Sequence, residues 1–136
     1  MAFIDSSPEA HTVTEHGDAQ VITSDFVLGN GSGLFGPGDY ISIADDSYWD
    51  IFRSNWSIEF RMKLPSLSLT MYTIFEQTVS ATTFMRCSYD RENHKIIFNI
   101  QLNGVNKVLM SASATLTANT WYSIELNASA FILEEV

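Results

Sequence analysis

Residues 56–63 read Trp56-Ser57-Ile58-Glu59-Phe60-Arg61-Met62-Lys63, an unbroken alternation of apolar and polar side chains. Successive side chains of a strand point to opposite faces. Trp56, Ile58, Phe60 and Met62 therefore share one face, and Ser57, Glu59, Arg61 and Lys63 the other. One dry face and one wet face is the pattern of an antiparallel sheet. Pro65 ends the run, because proline has no amide to give to a ladder.

The same period of two recurs on both sides of this stretch, and a helical period does not. Strands are expected at residues 12–14, 20–23, 39–43, 71–77, 83–89, 95–102, 105–111 and 120–127, with a last run at Phe131-Ile132-Leu133. Asn103-Gly104 marks a two-residue hairpin turn, since both of its central residues must take a positive φ. That turn sets Leu102 opposite Val105 and Phe98 opposite Leu109. It also leaves Lys107 beside Ile100, a mismatch that a bulge would relieve. Gly-rich segments at 30–33 and 36–38 bracket Leu34-Phe35. The one helical signal is a single turn over Asp45–Phe52, capped by Asp45 or Asp46. Short strands with turns about every ten residues predict an all-β, antiparallel two-sheet β-sandwich or jelly roll.

With 136 residues the chain has the length of one domain. Hydrophobic residues make up 46% and aromatic residues 12%, which suits a folded chain rather than a disordered one. The charge is lopsided: 7 Lys and Arg against 16 Asp and Glu. Every residue up to Phe52 is either neutral or acidic, apart from the histidines, and nine carboxylates fall there. An acidic surface disfavours nucleic acid and anionic membranes as partners. No run approaches eighteen apolar residues, so no membrane insertion is expected. Asp5 and Glu9 interrupt the start, and no signal peptide is expected. Cys87 stands alone in a strand-like run and reads as a buried, inert thiol.

Several segments resemble the laminin-G-like, concanavalin-A-like domains found in tailed-phage virion proteins and bacterial surface proteins. The run Gly31-Ser32-Gly33-Leu34-Phe35-Gly36-Pro37-Gly38-Asp39-Tyr40-Ile41-Ser42-Ile43 resembles a Gly-rich loop and strand of that family. Asp46–Phe52 is similar to its aspartate–tryptophan turn, 57–63 to one of its strands, and Asn119-Thr120-Trp121-Tyr122 to a further motif. Phe3-Ile4-Asp5-Ser6-Ser7 and His11-Thr12-Val13-Thr14 resemble its opening. The resemblance spans residues 3–126, and 127–136 form a tail that does not match. Domains of this family usually carry further strands at both ends, so the expected fold is incomplete there and open to strand addition by other chains. The resemblance implies a non-catalytic virion or cell-surface module that acts by packing and adhesion. Its expected partners are other virion or surface proteins, further copies of itself, and host glycans. The alternative is a carbohydrate-binding module.

The candidate residues follow from this reading. Glycosidases of the sandwich class place acids on alternate residues of one strand. No such row exists here, and no enzymatic activity is expected. Trp49, Trp121 and Tyr122 are the candidates for stacking on a sugar, with core burial as the competing fate. No cofactor is expected. Calcium is the one cation considered, and Asp5, Asp18 and Asp39 are its candidate ligands. For Asp39 the competing role is closing a turn through backbone amides. The histidines lack metal-ligand spacing and are expected to face solvent. Phe131, Ile132 and Leu133 are the candidates for contact with another chain.

Overall fold

The computed structural model describes residues 2–49, 55–129 and 131–136, the last segment with Phe131 as backbone only. The chain forms two compact units, Met1–Ser54 and Asn55–Val136, so the boundary falls inside the span of the resemblance. The described elements are β-strands and one short 3₁₀ turn. No helix among them is long and apolar enough to cross a membrane.

The N-terminal unit holds two small antiparallel ladders. Strands β1 (Val13–His16) and β4 (Tyr40–Ile43) pair with Glu15 opposite Ile41 and His16 opposite Tyr40. Strands β2 (Gln20–Ile22) and β3 (Ser32–Leu34) pair with Val21 opposite Gly33. The helical signal is realised as a 3₁₀ turn at Ser47–Trp49, and Asp46 supplies its cap by accepting the Tyr48 amide at 3.0 Å. The rest of that expected turn lies outside the described residues.

The C-terminal unit holds the alternating stretch. Strands β5 (Ser57–Lys63), β10 (Trp121–Asn127) and β11 (Phe131–Glu135) form a three-stranded antiparallel sheet in the order β11-β10-β5. Strands β6 (Met71–Ser80), β7 (Thr83–Asp90), β8 (Lys95–Leu102) and β9 (Val105–Ser113) form a four-stranded antiparallel meander. The sheets meet through aromatic side chains. Trp56 packs on Phe98 with ring centroids 5.5 Å apart, and Phe60 meets Phe75 edge-on at 6.0 Å. Cys87, Tyr89, Ile96 and Phe98 from one sheet and Tyr122, Ile124 and Leu126 from the other form the buried core. This is a two-layer, sandwich-like arrangement of antiparallel sheets.

Strand β5 faces as its alternation requires. Ser57, Glu59 and Arg61 are exposed, while Trp56, Ile58, Phe60 and Met62 are half-buried. Asn103 and Gly104 both take positive φ, 49° and 79°, and Leu102 pairs with Val105. The expected bulge is present: the register shifts between Ile100 and Gln101, and Lys107 is left without a cross-strand partner. Beyond the bulge Phe98 pairs with Met110 rather than Leu109, because one extra residue on β9 displaces every later pair. Strand β3 lies where no strand is expected, since a Gly-rich tripeptide gives no alternation to read.

Candidate functional site

Two carboxylates organise the N-terminal unit. Asp5 closes a turn on Ser7 and His11. It accepts the Ser7 amide, the Ser7 hydroxyl, the His11 amide and the His11 ring Nδ1, each at 2.8 Å. Donors aimed at a carboxylate stabilise its ionised form. The Ser7 amide and hydroxyl foremost, then the His11 ring and amide, hold Asp5 well below the usual carboxylate range. The His11 ring lies 5.2 Å from the Trp49 ring and edge-on to Tyr48 at 6.1 Å. Its side chain is only 16% exposed, which corrects the expectation of a solvent-facing histidine. Packing against the 3₁₀ turn is the physical reason.

Asp39 pins two loops together. Its Oδ1 accepts the Asp18 amide at 2.9 Å and its Oδ2 the Gly36 amide at 2.7 Å. Gly17, beside Asp18, has φ +71°, and a Cβ there would collide with Asp39 Oδ1. Asp39 thus has the turn-closing role weighed against calcium. Asp5, Asp18 and Asp39 are not brought together as one ligand set. Among the described residues no three His, Cys, Asp or Glu side chains converge on a point that could hold a metal ion.

The sugar-stacking candidates fall in different units, Trp49 in the N-terminal and Trp121 and Tyr122 in the C-terminal one. Trp49 is half-buried, and its Nε1 donates to the Ala44 carbonyl at 3.0 Å. Trp121 lies on the wet face of the three-stranded sheet, with the Lys63 ammonium 5.4 Å from its ring centroid. Tyr122 sits on the core face, 5% exposed, and its hydroxyl accepts the Thr117 amide at 3.0 Å. Alternation places Tyr122 opposite in facing to Trp121, and for Tyr122 the competing fate, burial in the core, is the one the fold gives it. Tyr48 is the more accessible ring at 61% exposure, and no pattern in the sequence marks it.

Phe131, Ile132 and Leu133 fall within β11, opposite Leu126, Glu125 and Ile124 of β10. Their backbone adds an edge strand to the chain's own sheet, so residues 131–135 belong to the sandwich-like unit rather than to a loose tail. On the wet face of that sheet Glu59 lies directly opposite Glu125. This cross-strand pair of acids was invisible to a search along single strands. Cys87 is fully buried, and burial pushes its thiol up to about 12. A groove of about 320 Å³ crosses the hairpin end of the four-stranded sheet, lined by Val79, Met85, Ile100, Leu102 and Lys107 among others.

One feature sets the N-terminal unit apart. Among its described hydrophobic residues only Ala19 is fully buried, whereas Phe26, Val27, Leu28, Leu34, Phe35, Tyr40 and Ile41 are exposed and Phe3, Val13, Val21, Ile22, Ile43 and Trp49 half-buried. Single exposed apolar side chains are ordinary, but a concentration of them marks a surface that interacts. Compared with family models, curated proteins and solved structures, the chain matches none.

Proposed function

We propose that this chain is a non-catalytic assembly or adhesion module, a laminin-G-like jelly roll of a virion or cell surface that acts by packing against other proteins. The observation that carries the reading is the concentration of exposed large apolar side chains in the N-terminal unit, where among the described hydrophobic residues Ala19 alone is fully buried. Two further features support it. The residues quoted for the resemblance hold the fold together: Asp5 and His11 lock the opening turn, and Asp39 locks the Gly-rich loop. The two sheets of the C-terminal unit also end in the strands β11, β5, β6 and β9, and strands at a sheet edge can accept strands from other chains.

Two carboxylates do lie side by side, Glu59 and Glu125, but on the wet face of a sheet. A glycosidase pair flanks a sugar held in a cleft, and neither acid lines the groove between residues 77 and 107. A second reading, glycan binding, is favoured by Tyr48, which is 61% exposed beside His11. Glycan-array screening and light scattering of the purified chain separate the two. The assembly reading expects no retained glycan and a defined homo- or hetero-oligomer at micromolar concentration. Retention of one glycan class, lost in Tyr48→Ala, together with a monomeric chain, would replace it with the second reading.

A further inference from the structure

We infer that the N-terminal unit docks a basic, apolar protein surface, through a patch formed by Phe3, Phe35, Ile41, Glu15 and Asp18. The inference rests on the assembly reading and names its partner class.

The patch is contiguous. Glu15 and Ile41 are directly opposed on β1 and β4, so their side chains share one face of that ladder. Glu15 Oε1 accepts the Phe3 amide at 3.3 Å, and the Phe3 ring lies 5.6 Å from the Phe35 ring. Both rings cover Gly33, where a Cβ would strike Phe35 and Phe3. Phe35 is 45% exposed and Ile41 36%. Asp18 is exposed in the same unit, and the Asp39 carboxylate that holds its amide also holds that of Gly36, the residue after Phe35. An apolar centre with a charged rim, fixed before binding, is the anatomy of a protein-docking site.

Charge selects the occupant. Residues 1–52 carry nine carboxylates and no Lys or Arg. Nucleic acid and anionic lipid are repelled by such a unit, and so is the same acidic unit of a second copy. A partner carrying Arg fits best, because guanidinium pairs with carboxylates and also stacks on aromatic rings.

The test uses the isotopically labelled full chain and two synthetic twelve-residue peptides, one alternating Arg with Leu and one alternating Glu with Leu. With the Arg peptide, amide resonances of Asp18, Phe35 and Ile41 should shift, and affinity should fall at least tenfold between low and half-molar salt. The Glu peptide should shift none of them. Glu15→Gln with Asp18→Asn should weaken binding about tenfold. The charge-matched Glu9→Gln with Glu92→Gln should change it less than twofold. Phe35→Ser should weaken binding at constant charge, and Ile41→Thr, which keeps a β-branched residue in the strand, covers the case in which Phe35→Ser fails to fold. Equal losses from both charge pairs, shifts spread over all acidic residues, or no binding at millimolar peptide would overturn the inference. So would the same shifts produced by calcium alone. If the inference fails while the chain still forms a glycan-independent oligomer, the assembly reading stands and only its partner class falls.

Discussion

Asp39 binds the amide of Asp18 across 21 residues of sequence, and the same carboxylate holds Gly36 three residues before it. One side chain therefore fixes the β1–β2 connection against the β3–β4 connection. Removing it leaves two loop amides to solvent and frees both loops. Asp39→Ala should cost about 1–2 kcal/mol, in the range of a lost side-chain cap. Gly17→Ala should destabilise as well, since its φ is +71° and the new methyl would meet Asp39 Oδ1. Part of that cost is the collision, so the two changes should be less than additive in chemical denaturation. Strict additivity would mean that Gly17 is needed only for its backbone.

Acid sensitivity should trace to Asp5. Its carboxyl is held below the ordinary value by Ser7 and His11. A group depressed in the folded state contributes stability that is complete above the unfolded value, near 3.9, and is lost as pH falls through the folded one. Asp90, lowered by the Asn93 side chain and amide, adds in the same direction. The stability gap between the wild type and Asp5→Asn should be constant from pH 7 to about pH 5 and should close below pH 4. A gap that persists unchanged at pH 2 would assign the loss to packing of the turn rather than to its charge.

The core of the C-terminal unit gives a graded series. Phe98 has no exposed surface and touches both Trp56 and Phe75. Phe98→Ala should cost about 3–5 kcal/mol, as large core truncations do. Phe60, half-buried, should cost about 2 kcal/mol, and Arg61 on the wet face under about 0.5. Equal losses at Phe60 and Arg61 in urea titrations would contradict the facing of β5.

What the sequence disclosed divides along physical lines. Alternation is local, so β5 and its facing were legible from eight residues. Turn chemistry is local too, and Asn103-Gly104 announced both the hairpin and, through the misfit of Lys107 against Ile100, the bulge that follows. Strand β3 has two small residues and one leucine, which carry no period, and its pairing with β2 was hidden. Hydrogen bonds between distant loops leave no local trace. Asp39 could be read as a turn closer, but nothing near it pointed to Asp18. Likewise Asp5 and His11 stood in one quoted motif, yet the contact of His11 with Trp49 spans 38 residues and needed coordinates. Glu59 and Glu125 illustrate the same limit, since cross-strand neighbours are adjacent only once the register is known.

Cys87 offers a test of burial by chemistry. Thiol–disulfide reagents attack the thiolate, and burial with a pKa near 12 leaves almost none at pH 8. The folded chain should therefore resist a thiol reagent for hours at pH 8, and should react within minutes in concentrated urea. Prompt labelling of the folded chain would show that β7 opens readily or lies closer to solvent.

The last prediction concerns β11. Its five residues pair with β10, and Leu133 stands opposite Ile124, a residue with no exposed surface. Deleting residues 131–136 removes that ladder and uncovers the edge of β10, whose Tyr122, Ile124 and Leu126 belong to the core. The lost apolar burial at Leu133 alone is worth up to about 1.5–3 kcal/mol. Unpaired amides and carbonyls on β10 can turn to water, so the backbone contribution should be smaller. The truncated chain should remain folded but unfold at lower urea, with a larger loss than Ile132→Ser, which alters the same strand without removing its hydrogen bonds. If β11 also presents its open edge to a neighbour, as the assembly reading holds, Ile132→Ser should lower the oligomer fraction while leaving the urea midpoint nearly unchanged. A midpoint unaffected by the deletion would show that β11 does not pair with β10 in solution, and an oligomer fraction unaffected by both changes would place assembly on another edge.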